Sequence, residues 1–144
     1  MHIVITRPKE DSSYLIENLI KLGHVVTHFP VIKVEKLETK KIDLSKYQAV
    51  IFTSSNAIRF MNIEKFNSKI KCFCVGSATE FTAKQIGFLN TYTSEGTVDS
   101  LIELIIRTLN NKSEKLLYLS SEFISKDLDK DLINSGYSVD RISN

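Results

Sequence analysis

Ala49-Val50-Ile51-Phe52-Thr53-Ser54-Ser55-Asn56-Ala57 decides the fold. An unbroken apolar run, β-branched and aromatic, stops in four small polar residues. Apolar positions then recur at Ile58, Phe60 and Met61. A run of this kind predicts a strand buried on both faces, the habit of a parallel sheet. The Thr-Ser-Ser-Asn cluster predicts the turn out of the strand and the cap of a following helix. In an open α/β sheet, ligands bind beyond the carboxyl ends of the strands. The cluster therefore sets hydroxyls and unpaired backbone N–H groups where a ligand belongs.

The same grammar repeats downstream. Residues 71–75 predict a strand, followed by the turn Gly76-Ser77-Ala78-Thr79 and a helix over 78–86 that Gly87 stops. Residues 88–92 predict a short strand. The turn Ser94-Glu95-Gly96-Thr97 follows, then a helix through Leu101, Leu104, Ile105 and Leu109. Residues 115–119 predict a strand ending in Ser120-Ser121-Glu122. A helix over about 125–134, capped by Gly136, and a last strand over 137–142 complete the series. Strand and helix alternate here until there are five strands and four helices. That alternation predicts a doubly wound α/β domain over residues 47–144, flavodoxin-like, with parallel strands in the order 2-1-3-4-5.

Upstream the pattern is shorter. Residues 2–6 predict a strand. Pro8 suits the first turn of a helix over 9–22, Gly23 ends it, and residues 24–29 predict a second strand. Residues 1–30 are thus one βαβ unit, too little to cover both faces of its own sheet, and read as part of a second, incomplete domain. Residues 31–37 alternate apolar and charged like an exposed extended segment, and residues 38–46 read as a polar loop. Together residues 31–46 predict a connector. Residues 64–68 predict a turn. The bare sheet of the βαβ unit predicts packing against a second copy, giving a homodimer.

Composition narrows the function. The chain has 144 residues, 42% hydrophobic and 25% charged, with a net charge of +2. That balance is ordinary for a globular protein and too near neutral to indicate nucleic acid. No apolar stretch approaches the ~20 residues of a membrane span. The chain opens directly on a strand pattern without a leader, so a cytoplasmic protein is expected. Cys72 and Cys74 point to one face of one strand and read as core thiols, because two residues that close on a strand make a poor disulfide. His24 and His28 share a predicted strand face but have no third ligand nearby, and no metal site is expected. Dinucleotide, P-loop and nucleophile-elbow motifs are absent from the sequence.

What remains is the recurrence of hydroxyls after the strands: Thr53, Ser54 and Ser55; Ser77 and Thr79; Ser94 and Thr97; Ser120 and Ser121. In a parallel sheet these turns share one edge. Each precedes a helix N-terminus, where free N–H groups and the helix dipole favour an anion. Two readings follow. One is a pocket for a small ligand with several carboxylates or phosphates; the other is plain helix capping.

The motifs resemble a known family. Ile3-Val4-Ile5-Thr6-Arg7-Pro8, Leu22-Gly23-His24, and the strand running into Phe29-Pro30-Val31-Ile32 resemble the opening of uroporphyrinogen-III synthases. Residues 49–57 resemble that family's Phe-Thr-Ser-x-Asn-Ala signature. Val75-Gly76-Ser77-Ala78-Thr79 is similar to its Val-Gly-x-x-Thr turn, and Ser94-Glu95-Gly96-Thr97 before Ser100-Leu101 is similar to the next. The resemblance spans the whole chain.

It implies two similar α/β domains joined by a two-stranded connector. The chain begins in the first domain, builds the second, and returns. On that pattern the return crossing falls at Asn144 and the chain is expected to be truncated. The resemblance also implies a cofactor-free enzyme that cyclises hydroxymethylbilane with inversion of ring D. It implies Thr53, Ser54, Asn56, Gly76, Ser77, Thr79, Gly96 and Thr97 as substrate-binding wall, faced by Thr6 and Arg7. It assigns no catalytic residue: the tyrosine nearest to a catalytic acid in the family would fall beyond Asn144. Gln48 stands where the family usually has an acid, and Ser120-Ser121-Glu122 replaces a turn that usually carries arginine and glycine. The alternative function is a non-catalytic flavodoxin-like domain that binds a small polyanionic ligand.

Overall fold

A computed structural model describes residues 1–35, 38, 40–121, 124 and 126–143. They divide into two compact units, Met1–Glu35 and Lys36–Asn144. The predicted helix start at residue 125, the parts of the predicted connector at residues 36, 37 and 39, and Glu122 lie outside the described residues.

In the first unit, β1 (His2–Ile5) and β2 (Val25–His28) run parallel, joined by α1 (Lys9–Lys21). Backbone pairing continues past β2, with Phe29 N–H donating to Ile5 O and Val31 N–H to Thr6 O. His28 is used locally: its Nε2 lies 2.8 Å from Arg7 O. Strand alternation puts Val4 and Val25 on exposed surface, while Ile5 is buried on the other face. Tyr14, Leu15, Ile20 and Leu22 are also exposed.

The second unit centres on β4 (Ala49–Phe52), whose four side chains are all fully buried. It lies between β6 (Lys71–Cys74) and β8 (Leu116–Ser120), parallel to both. β7 (Asn90–Thr93) and β9 (Val139–Ser143) add the outer strands, also parallel. The period of two then sorts side chains into two layers. Val50 and Phe52 join Cys72, Cys74, Leu117 and Leu119 beneath Ala57 and Ile58 of α2 (Ser55–Phe60) and Ala83 of α3 (Ser77–Gln85). Ala49 and Ile51 join Phe73, Leu116 and Tyr118 beneath Leu101 and Ile105 of α4 (Val98–Thr108) and Leu128 and Leu132 of α5 (Leu128–Asn134). A strand filled on both faces is what the apolar run at residues 49–52 requires.

The α/β class and five-stranded parallel sheet agree with the sequence reading, but the strand order does not. The observed order is β7-β6-β4-β8-β9. Counted from β4 as first strand, this is 3-2-1-4-5 rather than the flavodoxin-like 2-1-3-4-5. Both orders cover both faces with helices, so apolar runs and turns do not separate them. The difference matters because it moves the reversal of winding to the gap between β4 and β8.

Residues 38–46 are not wholly a loop. β3 (Ile42–Asp43) pairs in parallel with β5 (Ile63–Lys65), in a segment expected to be a turn. A single 3-10 turn, Leu44–Lys46, follows β3, with Asp43 accepting from Ser45 N–H. Ile42 and Leu44 are buried in the α2/α3 layer. Lysines around two isolated apolar residues hide such a short strand from any periodicity. Among the described residues, no helix is long and apolar enough to cross a membrane.

Candidate functional site

The reversal point between β4 and β8 is where an open α/β sheet leaves a crevice, because the chain diverges in opposite directions from adjacent strands. A pocket of about 160 Å³ opens there. Its lining comes from the carboxyl ends of the two strands and the loops beyond them: Thr53, Ser54, Val98, Tyr118, Ser121, Ile124 and Lys126. Hydroxyls form one part of the wall, Val98 and Ile124 an apolar part, and Lys126 supplies a cation.

Tyr118 belongs to the α4/α5 layer and is almost fully buried. Thr53 Oγ1 lies 3.3 Å from its hydroxyl, a long contact that leaves both groups hydrogen-bonding capacity. Burial raises the Tyr118 pKa; the Thr53 hydrogen bond and the nearby Arg141 guanidinium oppose that shift without cancelling it. Tyr118 is therefore a neutral donor near pH 7. Arg141, on β9, sits 6.0 Å from the Tyr118 ring centre and donates from Nε to Ser120 Oγ at 3.0 Å.

Charges around the opening are mostly paired. Lys126 Nζ donates to Asp99 Oδ1 and lies 3.6 Å from Asp131 Oδ2. Its pKa is raised, first by the Asp99 hydrogen bond. Lys130 Nζ donates to Asp127 Oδ2 at 2.8 Å, which holds the Asp127 carboxyl below its usual range. Asp127 and Asp129 are both close enough to disfavour ionisation of Tyr118.

The residues singled out in the sequence divide clearly. Thr53 and Ser54 line the pocket. Ser54 also caps α2, accepting from Ala57 N–H at 3.2 Å. Asn56 lies in the first turn of α2, where its Oδ1 accepts from Arg59. Gly76 caps α3 without a side chain; a methyl group there would stand 3.7 Å from the Cα of Gly96, so the second and third turns meet closely. Gly96 itself has a φ of +97°, which favours glycine. Ser77 is exposed and Thr79 buried in the first turn of α3. Thr97 and Ser100 form a reciprocal capping box on α4. These six residues from Asn56 to Thr97 share the carboxyl edge but do not line the pocket. Thr6 and Arg7 are exposed just after β1 in the first unit.

Four lining residues escaped the sequence reading, the apolar Val98 and Ile124 and the polar Tyr118 and Lys126. Tyr118 sits inside Leu116-Leu117-Tyr118-Leu119 and passes for core; its signal is a phenol two residues short of a Ser-Ser turn. Lys126 precedes a helix whose start carries three acids, Asp127, Asp129 and Asp131, against the single cation Lys130. A cation is disfavoured beside a helix N-terminus, and that oddity was the available signal.

A family model described as uroporphyrinogen-III synthase HemD matches residues 13–143. A curated relative, the porphyrin biosynthesis protein HemD of Ruminiclostridium josui, is 28% identical over 154 residues, covering 97% of this chain and 31% of the relative. Two crystal structures of uroporphyrinogen III synthase from the extreme thermophile Thermus thermophilus share the fold. A mutant form gives a TM-score of 0.59 at 15% identity, over 99% of this chain and 61% of that one. The wild type gives 0.52 at 18% identity, over 99% and 60%. The chain therefore spans under a third of the curated relative and about three fifths of the solved structures.

Proposed function

The chain belongs to the uroporphyrinogen-III synthase family, and on that premise we propose that it acts in the ring closure of hydroxymethylbilane to uroporphyrinogen III. Protonation of the terminal hydroxyl and loss of water leave an azafulvenium cation, and the proton is released again on ring closure. Attack at ring D gives a spiro intermediate, and ring opening and reclosure invert that ring. Atoms balance without a cofactor: one bilane gives one macrocycle and one water.

The observation that carries this reading is the pocket between β4 and β8, with Thr53 and Ser54 of the signature turn in its wall. Neutral hydroxyls beside a buried face suit an uncharged part of the bilane. Tyr118, kept protonated by burial, is a donor that costs no reorganisation to use. The Asp129 carboxylate, whose charge reaches Tyr118, suits a ligand that becomes cationic. Helix N-termini along the same edge suit its acidic arms. Holding a flexible chain in one reactive geometry supplies much of the effect.

Asn56, Gly76, Ser77, Thr79, Gly96 and Thr97 extend the binding wall along the edge. The first unit is one part of a discontinuous domain similar to the second, and the link between the two ends before Ile42 and Leu44, which pack in the second unit's core. The enzyme is a cytoplasmic lyase with a small-molecule substrate and no nucleic-acid partner. Val4 and Val25, exposed on the open face of the first unit, pack against a second copy. A clean monomer by light scattering, with residues 1–30 protected from proteolysis, would remove the dimer. The activity itself is tested by incubating freshly made hydroxymethylbilane with the chain and separating the isomers after oxidation. Type III product that grows with protein concentration supports it.

A further inference from the structure

The cation of the pocket is held in an unusual way. Lys126 lines the cavity, yet its ammonium donates to Asp99, the residue next to the lining Val98. The Asp99 side chain is 72% exposed. Water replaces an exposed partner of this kind at little cost. Asp131 Oδ2 lies 3.6 Å from the same ammonium and stays as a second partner. Asp99 is also not needed to cap α4, because Thr97 and Ser100 already do so through reciprocal hydrogen bonds.

The cavity itself limits what sits beside Lys126. Its 160 Å³ equals the share of roughly five waters, well below the ~300 Å³ or more of a pocket for a drug-sized ligand. That is room for one five-membered ring and a short acidic arm. Val98 and Ile124 supply apolar surface for the ring. The Tyr118 and Thr53 hydroxyls supply polar partners for its N–H. The arm then reaches Lys126, the one positively charged residue among the described lining residues.

We propose that Lys126 is a specificity-determining residue of this pocket, exchanging Asp99 for the carboxylate of a single pyrrole ring seated between Val98 and Ile124. Asp99 occupies the carboxylate position while the pocket is empty and turns to water when the ligand arrives. The pocket therefore selects rings that bring their own carboxylate, because only these repair the ion pair they break. An ester or an amide leaves Lys126 with Asp99 and gains nothing at that end. The choice of a pyrrole as the ring rests on the proposed function; the exchange at Lys126 rests on the geometry.

The test uses the full chain and two probes: a monopyrrole carrying one propionate arm, and the methyl ester of the same compound. Binding is followed by titration calorimetry and by amide chemical shifts of residues 53, 54 and 118. The acid is expected to saturate the pocket and to bind at least tenfold more tightly than the ester. Lys126→Met abolishes that preference, and Lys126→Arg restores most of it. Asp99→Asn, which removes the competing carboxylate, strengthens binding of the acid severalfold. The opposite directions of the Lys126 and Asp99 variants separate exchange from simple damage to the fold. Equal binding of acid and ester, no saturable binding of either, or weakening by Asp99→Asn as large as by Lys126→Met overturns the proposal. Type III product formed by a chain that does not bind the acid would keep the proposed function and remove this subsite. Binding of the acid without type III product would do the reverse.

Discussion

Thr53 Oγ1 and the Tyr118 hydroxyl meet at 3.3 Å across the carboxyl ends of β4 and β8. These two strands are neighbours in space, yet β6 and β7 come between them in the chain. The contact therefore marks the point where winding reverses, and it forms part of the pocket wall. The hydroxyl contributes little to stability, since a long hydrogen bond is worth at most about 1 kcal/mol. Tyr118→Phe should shift the melting temperature only slightly while reducing formation of the type III isomer by tenfold or more. Unchanged isomer yield would take Tyr118 out of the site.

The capping box on α4 fixes the helix that presents Val98 to the pocket and Asp99 to Lys126. Thr97→Ala removes a side-chain acceptor from the Ser100 N–H and leaves that donor to water. A loss of about 1 kcal/mol is expected by urea unfolding, within the ~0.5–2 kcal/mol range of such caps. Thr97→Ser should recover most of it. A neutral result for the alanine variant would show that the box adds nothing to packing by Leu101 and Ile105.

Cys72 and Cys74 face the same buried layer, with their sulfurs 3.8 Å apart. The hydrogen bond to Cys74 and burial together push the Cys72 thiol up, so it carries little thiolate near neutral pH. Both thiols should resist a thiol-reactive disulfide reagent in the folded protein and react at once in guanidinium. Fast labelling of the native chain would contradict the buried placement of β6.

Tyr47 stands away from the pocket, at the amino end of β4, and donates to Asp140 at 3.0 Å. Burial, then the Asp140 hydrogen bond, pushes its pKa from 10.0 up to about 12. The unfolded chain thus loses this proton first as pH rises. Stability contributed by the neutral phenol is whole below the unfolded value near 10 and is lost progressively up to about 12. Melting temperature should therefore fall with pH across that window. Tyr47→Phe should flatten the fall, and an identical slope in the variant would remove Tyr47 as its cause.

Legibility in the sequence followed burial. The residues 49–52 and 116–119 announce central strands because both faces are filled, and no surface pattern interrupts them. Hydroxyl turns at residues 53–54 announced one side of the pocket for the same reason: a strand that ends so sharply has only one place to turn. Strand order was not legible. It depends on which neighbour each crossover reaches, and apolar runs carry no record of that. The short pair of Ile42 with Ile63 was hidden because two-residue strands have no period. Tyr118 and Lys126 were hidden for opposite reasons. The phenol is sheathed in leucines, so its polar end does not show. The ammonium owes its place to Asp99, 27 residues earlier in the chain, and no local pattern links the two.

The isomer formed from hydroxymethylbilane is the most direct test of the proposed activity. Without catalysis the bilane closes to the type I macrocycle, in which ring D keeps its orientation. The chain is expected to divert product to type III in proportion to its concentration, with Tyr118→Phe diverting far less at equal concentration. Type I alone at every concentration of folded chain would contradict the assignment of this activity to these residues.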